Sequence, residues 1–153
     1  MRVAILLICL MANPASAEMA ERPGWAVTVT DKPYDELVSD VKDAVRANGM
    51  GVVTEAGPTG VARSRGIEIP GNRVIGVFNN TFAVRILGHS TPAMIEAPIR
   101  LYVTENADGT ATLSYKLPST VFAPYMDGAD PDFAAAAAEL DEIFARIASE
   151  AVP

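Results

Sequence analysis

The sequence predicts a single α+β domain, in which a mixed sheet of about five strands carries packed helices in the order β-α-β-α-β-α-β-β-α. Residues 72–116 read as a strand, a short helix and a hairpin with clear breaks between them. The hairpin loop ends in Asp108-Gly109 and is flanked by alternating apolar residues, a strong short-range hairpin signal. Amphipathic helical segments stand at both ends of these mostly consecutive strands, which is typical of the α+β class.

Residues 1–17 have the layout of a secretory signal peptide. Arg2 precedes an apolar run too short to span a bilayer, and Ala15-Ser16-Ala17 forms a small-x-small cleavage site. We predict cleavage after Ala17 and a periplasmic or secreted location. The only cysteine, Cys9, would leave with this segment. Residues 18–24 read as a polar lead and residues 25–151 as the domain.

The acidic charge excludes some classes of partner. Cleavage would remove Arg2 and no acid, so the formal net charge would change from −7 to −8. No basic cluster interrupts this balance, which argues against nucleic acid or anionic lipid as a partner. We also expect no membrane span in the mature chain.

The first half of the domain predicts two strands and a long helix. Residues 25–30 alternate as a half-buried strand does, and Asp31 is placed to cap a helix that has Pro33 in its first turn. That helix is amphipathic and ends at 48–49, before a second strand at 51–55. Residues 59–66 predict one or two weakly patterned helical turns.

The middle of the domain predicts a third strand and helix. Residues 74–78 are continuously apolar, which predicts a strand covered on both faces. Residues 79–81 supply capping side chains, and Gly88 closes the helix, so that His89 would lie just beyond its end. The residues expected to point inward are Phe82, Ala83, Ile86 and Leu87.

The last third predicts the hairpin and a long final helix. The hairpin strands are 98–105 and 110–116, and residues 120–126 form a short, weakly helical segment. Asp130 caps a helix with Pro131 at its first position, running to about Ala151. Its predicted buried stripe comprises Phe133, Ala136, Leu140, Ile143, Phe144 and Ile147.

Several ordered short motifs carry a family resemblance. They are 78–83 (FNNTFA), 96–103 (EAPIRLYV), Asp108-Gly109, 113–115 (LSY), Pro118-Ser119 and 122–125 (FAPY). Together they resemble the family catalogued as domain of unknown function 302, from about Val27 to Ala148. The resemblance implies a compact α+β domain that is often dimeric. It supplies no catalytic residues.

The composition excludes most enzyme classes that can be recognised from sequence motifs. Without a cysteine the mature chain has no thiol nucleophile or thiolate metal site, and one histidine cannot build a multi-histidine metal site. Neither a Gly-x-Ser-x-Gly elbow nor a phosphate-cradling glycine loop is present. These absences favour a protein that is not an enzyme, with an enzyme using an unrecognised site as the alternative.

His89 is the sharpest single-residue hypothesis. Its imidazole could serve as an axial ligand to haem, with Phe82, Met94 and Ile95 as apolar walls. The alternative is a surface histidine whose positively charged form is favoured by the C-terminal end of its helix.

A second candidate site is a pocket at the hairpin that accepts a small carboxylate or phosphate. Its residues are Arg100, Tyr102, Tyr115, Ser119 and Tyr125, with Arg85 considered beside them. The alternative is that the tyrosines pack against a helix. The sequence therefore predicts a small-molecule-binding module or a self-associating homodimer, and leaves the two open.

Overall fold

The computed structural model describes residues 19–153, so the predicted signal peptide at residues 1–17 lies outside the described part. The strands are β1 (Trp25–Pro33), β2 (Gly51–Ala56), β3 (Asn72–Phe78), β4 (Ile99–Glu105) and β5 (Thr110–Lys116). The helices are α1 (Tyr34–Ala47), α2 (Thr59–Ser64), α3 (Asn80–His89), α4 (Pro118–Phe122) and α5 (Pro131–Ala151). Two short 3₁₀ helices cover Pro92–Glu96 and Ala123–Tyr125.

The five strands form one sheet in the order β1-β5-β4-β3-β2. The predicted α+β class and the number of strands are confirmed. Every strand pair is antiparallel, so the sheet is not the mixed one that the sequence predicted. The first strand, β1, pairs with the last strand, β5, in antiparallel orientation, so that this long-range pairing adds no parallel pair to the sheet. The central strand is β4.

The long helices cover one face of the sheet. The alternate side chains Ile99, Leu101 and Val103 of β4 are buried on that face. On the other face, side chains such as Val29 and Arg100 are exposed, so that no continuous helical layer covers it. The prediction that β3 is covered on both faces was therefore wrong, because Val74 faces the uncovered side, where it lines a cavity.

Helix α1 begins later than the sequence predicted. Strand β1 continues past a bulge after Val29, and Pro33 pairs with Thr110 of β5. Asp31 is therefore a strand residue and not the helix cap, and Pro33 precedes the first helical residue, Tyr34, without a side-chain cap. Pairing with β5 holds these residues in extended conformation despite their helix-start pattern.

Helix α3 has the predicted cap but a different buried face. The Asn79 side chain accepts hydrogen bonds from the backbone amides of Thr81 and Phe82. Ile86 is buried, whereas Leu87 is 48% exposed and does not point inward as predicted. Phe82 and Ile86 are four residues apart and share a helix face, from which Leu87 is rotated by about 100°. His89 is the last residue of the helix and does not lie beyond it.

Helix α5 matches its prediction closely. Asp130 accepts a hydrogen bond from the Asp132 amide, and Pro131 opens the helix. Its stripe is buried except at Ile143, which is partly exposed. The rings of Phe144 and Tyr115 pack with centroids 5.6 Å apart, which joins the helix to β5. Among residues 19–153, no helix is long and apolar enough to cross a bilayer.

Candidate functional site

A cavity of about 700 Å³ lies on the uncovered face of the sheet. The strand register brings its sheet residues together, because Trp25 of β1 pairs with Lys116 of β5 and Val74 of β3 pairs with Tyr102 of β4. Helix α4 and the 3₁₀ helix that ends at Glu96 form a wall at one end. This volume is in the range of small-molecule sites, about 300–1,000 Å³. The lining residues are Trp25, Asn72, Val74, Glu96, Ile99, Arg100, Tyr102, Tyr115, Lys116, Thr120, Val121 and Pro124.

Two cations line this cavity without an acidic partner. Within residues 19–153, neither Arg100 nor Lys116 takes part in an ion pair. Of the nine other lysines and arginines in the described part, five are paired, for example Arg85 with two carboxylates. An unpaired guanidinium offers a planar set of N–H donors that matches a carboxylate or phosphate.

Glu96 is the one acid in the cavity lining, and a hydrogen bond from Tyr125, which lies outside the lining, fixes its carboxylate. The Tyr125 hydroxyl donates a hydrogen bond to Glu96 Oε1 at 2.7 Å. This bond raises the pKa of the Tyr125 phenol above its ordinary value, with burial as a further cause. The bond fixes the carboxylate at the end of the cavity.

Trp25 forms a side wall. The Arg22 guanidinium carbon lies 5.1 Å from the centroid of its ring and the Lys116 ammonium nitrogen 5.7 Å, so two cations contact the indole. Such contacts are worth about 0.5–1 kcal/mol at exposed sites. They place the Lys116 charge beside the cavity. On the floor, the Asn72 side-chain amide donates to the Tyr102 hydroxyl and orients that ring.

The structure brings together part of the predicted pocket. Arg100 and Tyr102 lie side by side on the cavity floor. Tyr115 borders the cavity but is only 4% exposed and packs against Phe144, as the alternative interpretation stated, and burial raises its pKa.

The other predicted residues are more distant. Ser119 does not line the cavity, and its amide donates to Asp141 Oδ1 at 2.8 Å. Tyr125 reaches the cavity only through Glu96.

The sequence interpretation missed most of the lining, including Trp25, Glu96 and Lys116. Trp25 and Lys116 lie on strands that the sequence predicts, but their proximity depends on the pairing of β1 with β5. The signal that could have found Glu96 is its position shortly before β4, four residues from Arg100 in the chain.

His89 and Arg85 belong to a separate cluster between α3 and α5. His89 Nε2 lies 3.2 Å from Asp132 Oδ2, and its ring stacks on Phe133 at 5.9 Å. Arg85 donates to Asp132 and to Glu139, and these two bonds raise the pKa of the guanidinium. Arg85 is therefore not part of the cavity.

Haem ligation by His89 stays a prediction. The nearby cavity lined by Phe82 and Met94 holds about 30 Å³, and Ile95 is 79% exposed instead of forming a wall. Among residues 19–153, no group of three or more histidine or acidic side chains is arranged to hold a metal ion. The geometry gives the imidazole a carboxylate partner in place of an open axial position.

Fold and cavity together define a small two-layer α+β domain with a concave site on its uncovered sheet face. The family model "Domain of unknown function DUF302" matches residues 25–150. The chain belongs to this family, which confirms the predicted resemblance.

A solved structure shares the fold. The crystal structure of the uncharacterized conserved protein DUF302 from Bacillus stearothermophilus is similar, with a TM-score of 0.70. The likeness covers 86% of this chain and 97% of that chain at 17% identity, so it concerns the fold alone. No curated protein matches the sequence at a significant level.

Proposed function

We propose that this protein binds a small anionic molecule, a carboxylate or phosphate, on the uncovered face of its sheet. The observation that carries the proposal is the pair of cations, Arg100 and Lys116, which line a cavity of about 700 Å³ without an acidic partner in the described part of the chain. In a chain with a net charge of −7, cations left unpaired in one cavity favour an anion from outside.

The floor and walls suit a ligand with an apolar body. Val74, Val121 and Pro124 supply apolar surface, and Tyr102 and Trp25 supply aromatic surface with polar tips. Sites of this kind bind through apolar contact and take orientation from a few polar groups. Arg100 and Lys116 are those groups here.

Calorimetric titration with 4-ethylbenzoate, a monoanion with an apolar body, tests the proposal. Because hydrogen bonds to charged groups contribute about 1.5–3 kcal/mol, Arg100→Met should weaken binding about 10- to 100-fold. Arg65→Met is the matched control, since Arg65 is exposed and outside the cavity. Equal affinity for both variants would contradict the proposal, and so would a wild type that binds neither this probe nor any of the other carboxylate probes described below.

Self-association is a second candidate, favoured by exposed apolar side chains on α3 and the adjacent 3₁₀ helix. Val84, Leu87 and Ile95 are 62%, 48% and 79% exposed, on elements that pack together. We propose that a second copy of this chain covers them. Light scattering should then give a dimer mass for the wild type and a monomer mass for Ile95→Lys. A monomeric wild type would remove this candidate.

We propose further that the domain is exported after cleavage following Ala17. The support is the sequence pattern of residues 1–17. Intact mass of protein recovered from outside the cytoplasm should correspond to a chain beginning at Glu18. A mass that retains Met1 to Ala17 would contradict this proposal.

A further inference from the structure

The cavity on the uncovered face carries charges of both signs. Arg100 and Lys116 are cations, and Glu96 is an acid in the same lining. Among residues 19–153, no ion pair joins Glu96 to either cation, although Glu96 and Arg100 are only four residues apart in the chain. The acid and the cations therefore remain available to groups from outside.

Glu96 retains capacity to accept a hydrogen bond from a ligand. Its Oε1 atom accepts from the Tyr125 hydroxyl at 2.7 Å, and the described part of the chain shows no donor to Oε2. A carboxylate has about four lone-pair sites, so one phenol leaves most of them open. The phenol also holds the carboxylate in place, which lowers the entropy lost when a ligand binds.

Glu96 would oppose a ligand that carried only negative charge. A second carboxylate in the same cavity would repel the Glu96 carboxylate more than it would in bulk water, because the effective dielectric near a protein surface is lower. A ligand with an anionic group for Arg100 and Lys116, and a cationic group for Glu96, avoids this repulsion and gains a second charge-assisted hydrogen bond.

We propose that the ligand is an amino carboxylate, with its carboxylate at Arg100 and Lys116, its protonated amine at Glu96 and an apolar or aromatic body between them. This inference rests on the proposed function and adds the chemical class of the ligand. The Glu96–Tyr125 pair selects the amine, and the apolar surface of Val74, Val121 and Pro124 accepts the body.

Two matched probe pairs test the inference by calorimetry. In the first, 4-(aminomethyl)benzoate is compared with 4-ethylbenzoate, which has an ethyl group in place of the aminomethyl group. The second pair consists of the corresponding biphenyl carboxylates, which place the two charges farther apart. In at least one pair, the amine should bind about tenfold or more tighter than its ethyl analogue, as expected for a charge-assisted hydrogen bond.

Glu96→Gln should abolish that preference and leave affinity for the ethyl analogues unchanged or improved. The substitution keeps an oxygen that can accept from Tyr125. Glu68→Gln, which removes an exposed acid outside the cavity, should keep the preference. If Glu96→Gln does not fold, the wild-type comparison alone decides, because equal or weaker binding of both amines overturns the inference.

The outcomes separate the inference from the proposed function. Binding of the ethyl analogues without an amine preference, or with a preference that survives Glu96→Gln, overturns the inference and leaves anion binding standing. Failure of all four probes to bind the wild type overturns both. A preference lost only in Glu96→Gln supports both.

Discussion

The Arg85 guanidinium holds the Asp132 carboxylate through two hydrogen bonds, from Nη2 to Oδ1 at 2.8 Å and from Nε to Oδ2 at 3.2 Å. His89 contacts the same carboxylate, and Glu139 accepts a third bond from Arg85. Asp132 lies in the first turn of α5, where a negative charge also interacts favourably with the helix dipole. The cluster ties the outer surface of α3 to the beginning of α5.

This arrangement predicts a stability contribution that depends on pH. The pKa of Asp132 is lowered, mainly by its hydrogen bonds with Arg85 and then with His89. Because the folded pKa lies below the unfolded pKa of about 3.9, the stabilisation is complete above that value and is lost as pH falls through the folded pKa. Asp132→Asn should therefore melt at a lower temperature than the wild type near neutral pH, by an amount that shrinks below about pH 4.

Thermal unfolding followed by circular dichroism across this pH range measures the effect. Asp127→Asn is the control, since Asp127 is exposed and outside the cluster. A deficit in Asp132→Asn that stays constant down to the lowest pH would show that the charge of Asp132 does not supply the stabilisation.

Two glycines with opposite surroundings give a second prediction. A Cβ at Gly76 would collide with Thr54 Oγ1 and lie 2.9 Å from Pro98 Cγ, whereas a Cβ at Gly88, within α3, would meet nothing within 4 Å. Gly76→Ala should destabilise the protein by about 1–3 kcal/mol through overpacking. Gly88→Ala should stabilise it by roughly 0.5–1 kcal/mol, because alanine loses less backbone entropy in a helix.

Urea unfolding of both variants measures these changes against the wild type. The two variants receive the same added methyl group, so each serves as the control for the other. Equal effects at the two positions would mean that the close contacts around Gly76 relax without cost.

The local elements were predictable because their signals are local. The cap at Asp130, Pro131 and the apolar period that follows fix α5 from a few residues, and Asp108-Gly109 fixes the hairpin between β4 and β5. The end of β1 was not predictable in this way. Its last residue, Pro33, is held in the strand by Thr110, which is distant in the chain, while its neighbours carry a helix-start pattern.

The site was predictable only in part, for a related reason. Arg100 and Tyr102 alternate on one strand, so their shared face follows from the period of two. Lys116 and Trp25 join them only through the β1–β5 register, which the sequence does not reveal. Which face lacks a helix is likewise a property of the whole fold. That is also why Tyr115 was expected in the pocket but packs against Phe144.

The bond between Glu96 and Tyr125 gives a third prediction. Because the hydrogen bond to Glu96 is the main cause of the raised pKa of Tyr125, Glu96→Leu should lower the pKa of this phenol toward its ordinary value of about 10. Ultraviolet titration of tyrosinate measures this change. Tyr125→Phe identifies which part of the titration belongs to Tyr125, since the chain has four tyrosines.

A Tyr125 titration that does not move in Glu96→Leu would assign the raised pKa to burial, the second cause, and would weaken the role of Tyr125 in holding Glu96.

Trp25 gives the fourth prediction, because the only tryptophan of the chain forms a wall of the cavity. A ligand at Arg100 and Lys116 changes the polarity and the charges around the indole, including the Lys116 ammonium group 5.7 Å from its centroid. Saturation with cyclohexanecarboxylate, which does not absorb where tryptophan is excited, should therefore shift the emission. The midpoint should agree with calorimetry and move about 10- to 100-fold higher in Arg100→Met.

Trp25→Phe separates the signal from the binding event. Phenylalanine keeps an aromatic wall, so calorimetry should still detect binding while the emission signal is lost. If the wild type binds the probe by calorimetry with no change in Trp25 emission, the ligand lies elsewhere, because an anion seated beside Lys116 must alter the electrostatic environment of a ring that this ammonium group contacts. Emission thus reports the position of the ligand as well as its affinity.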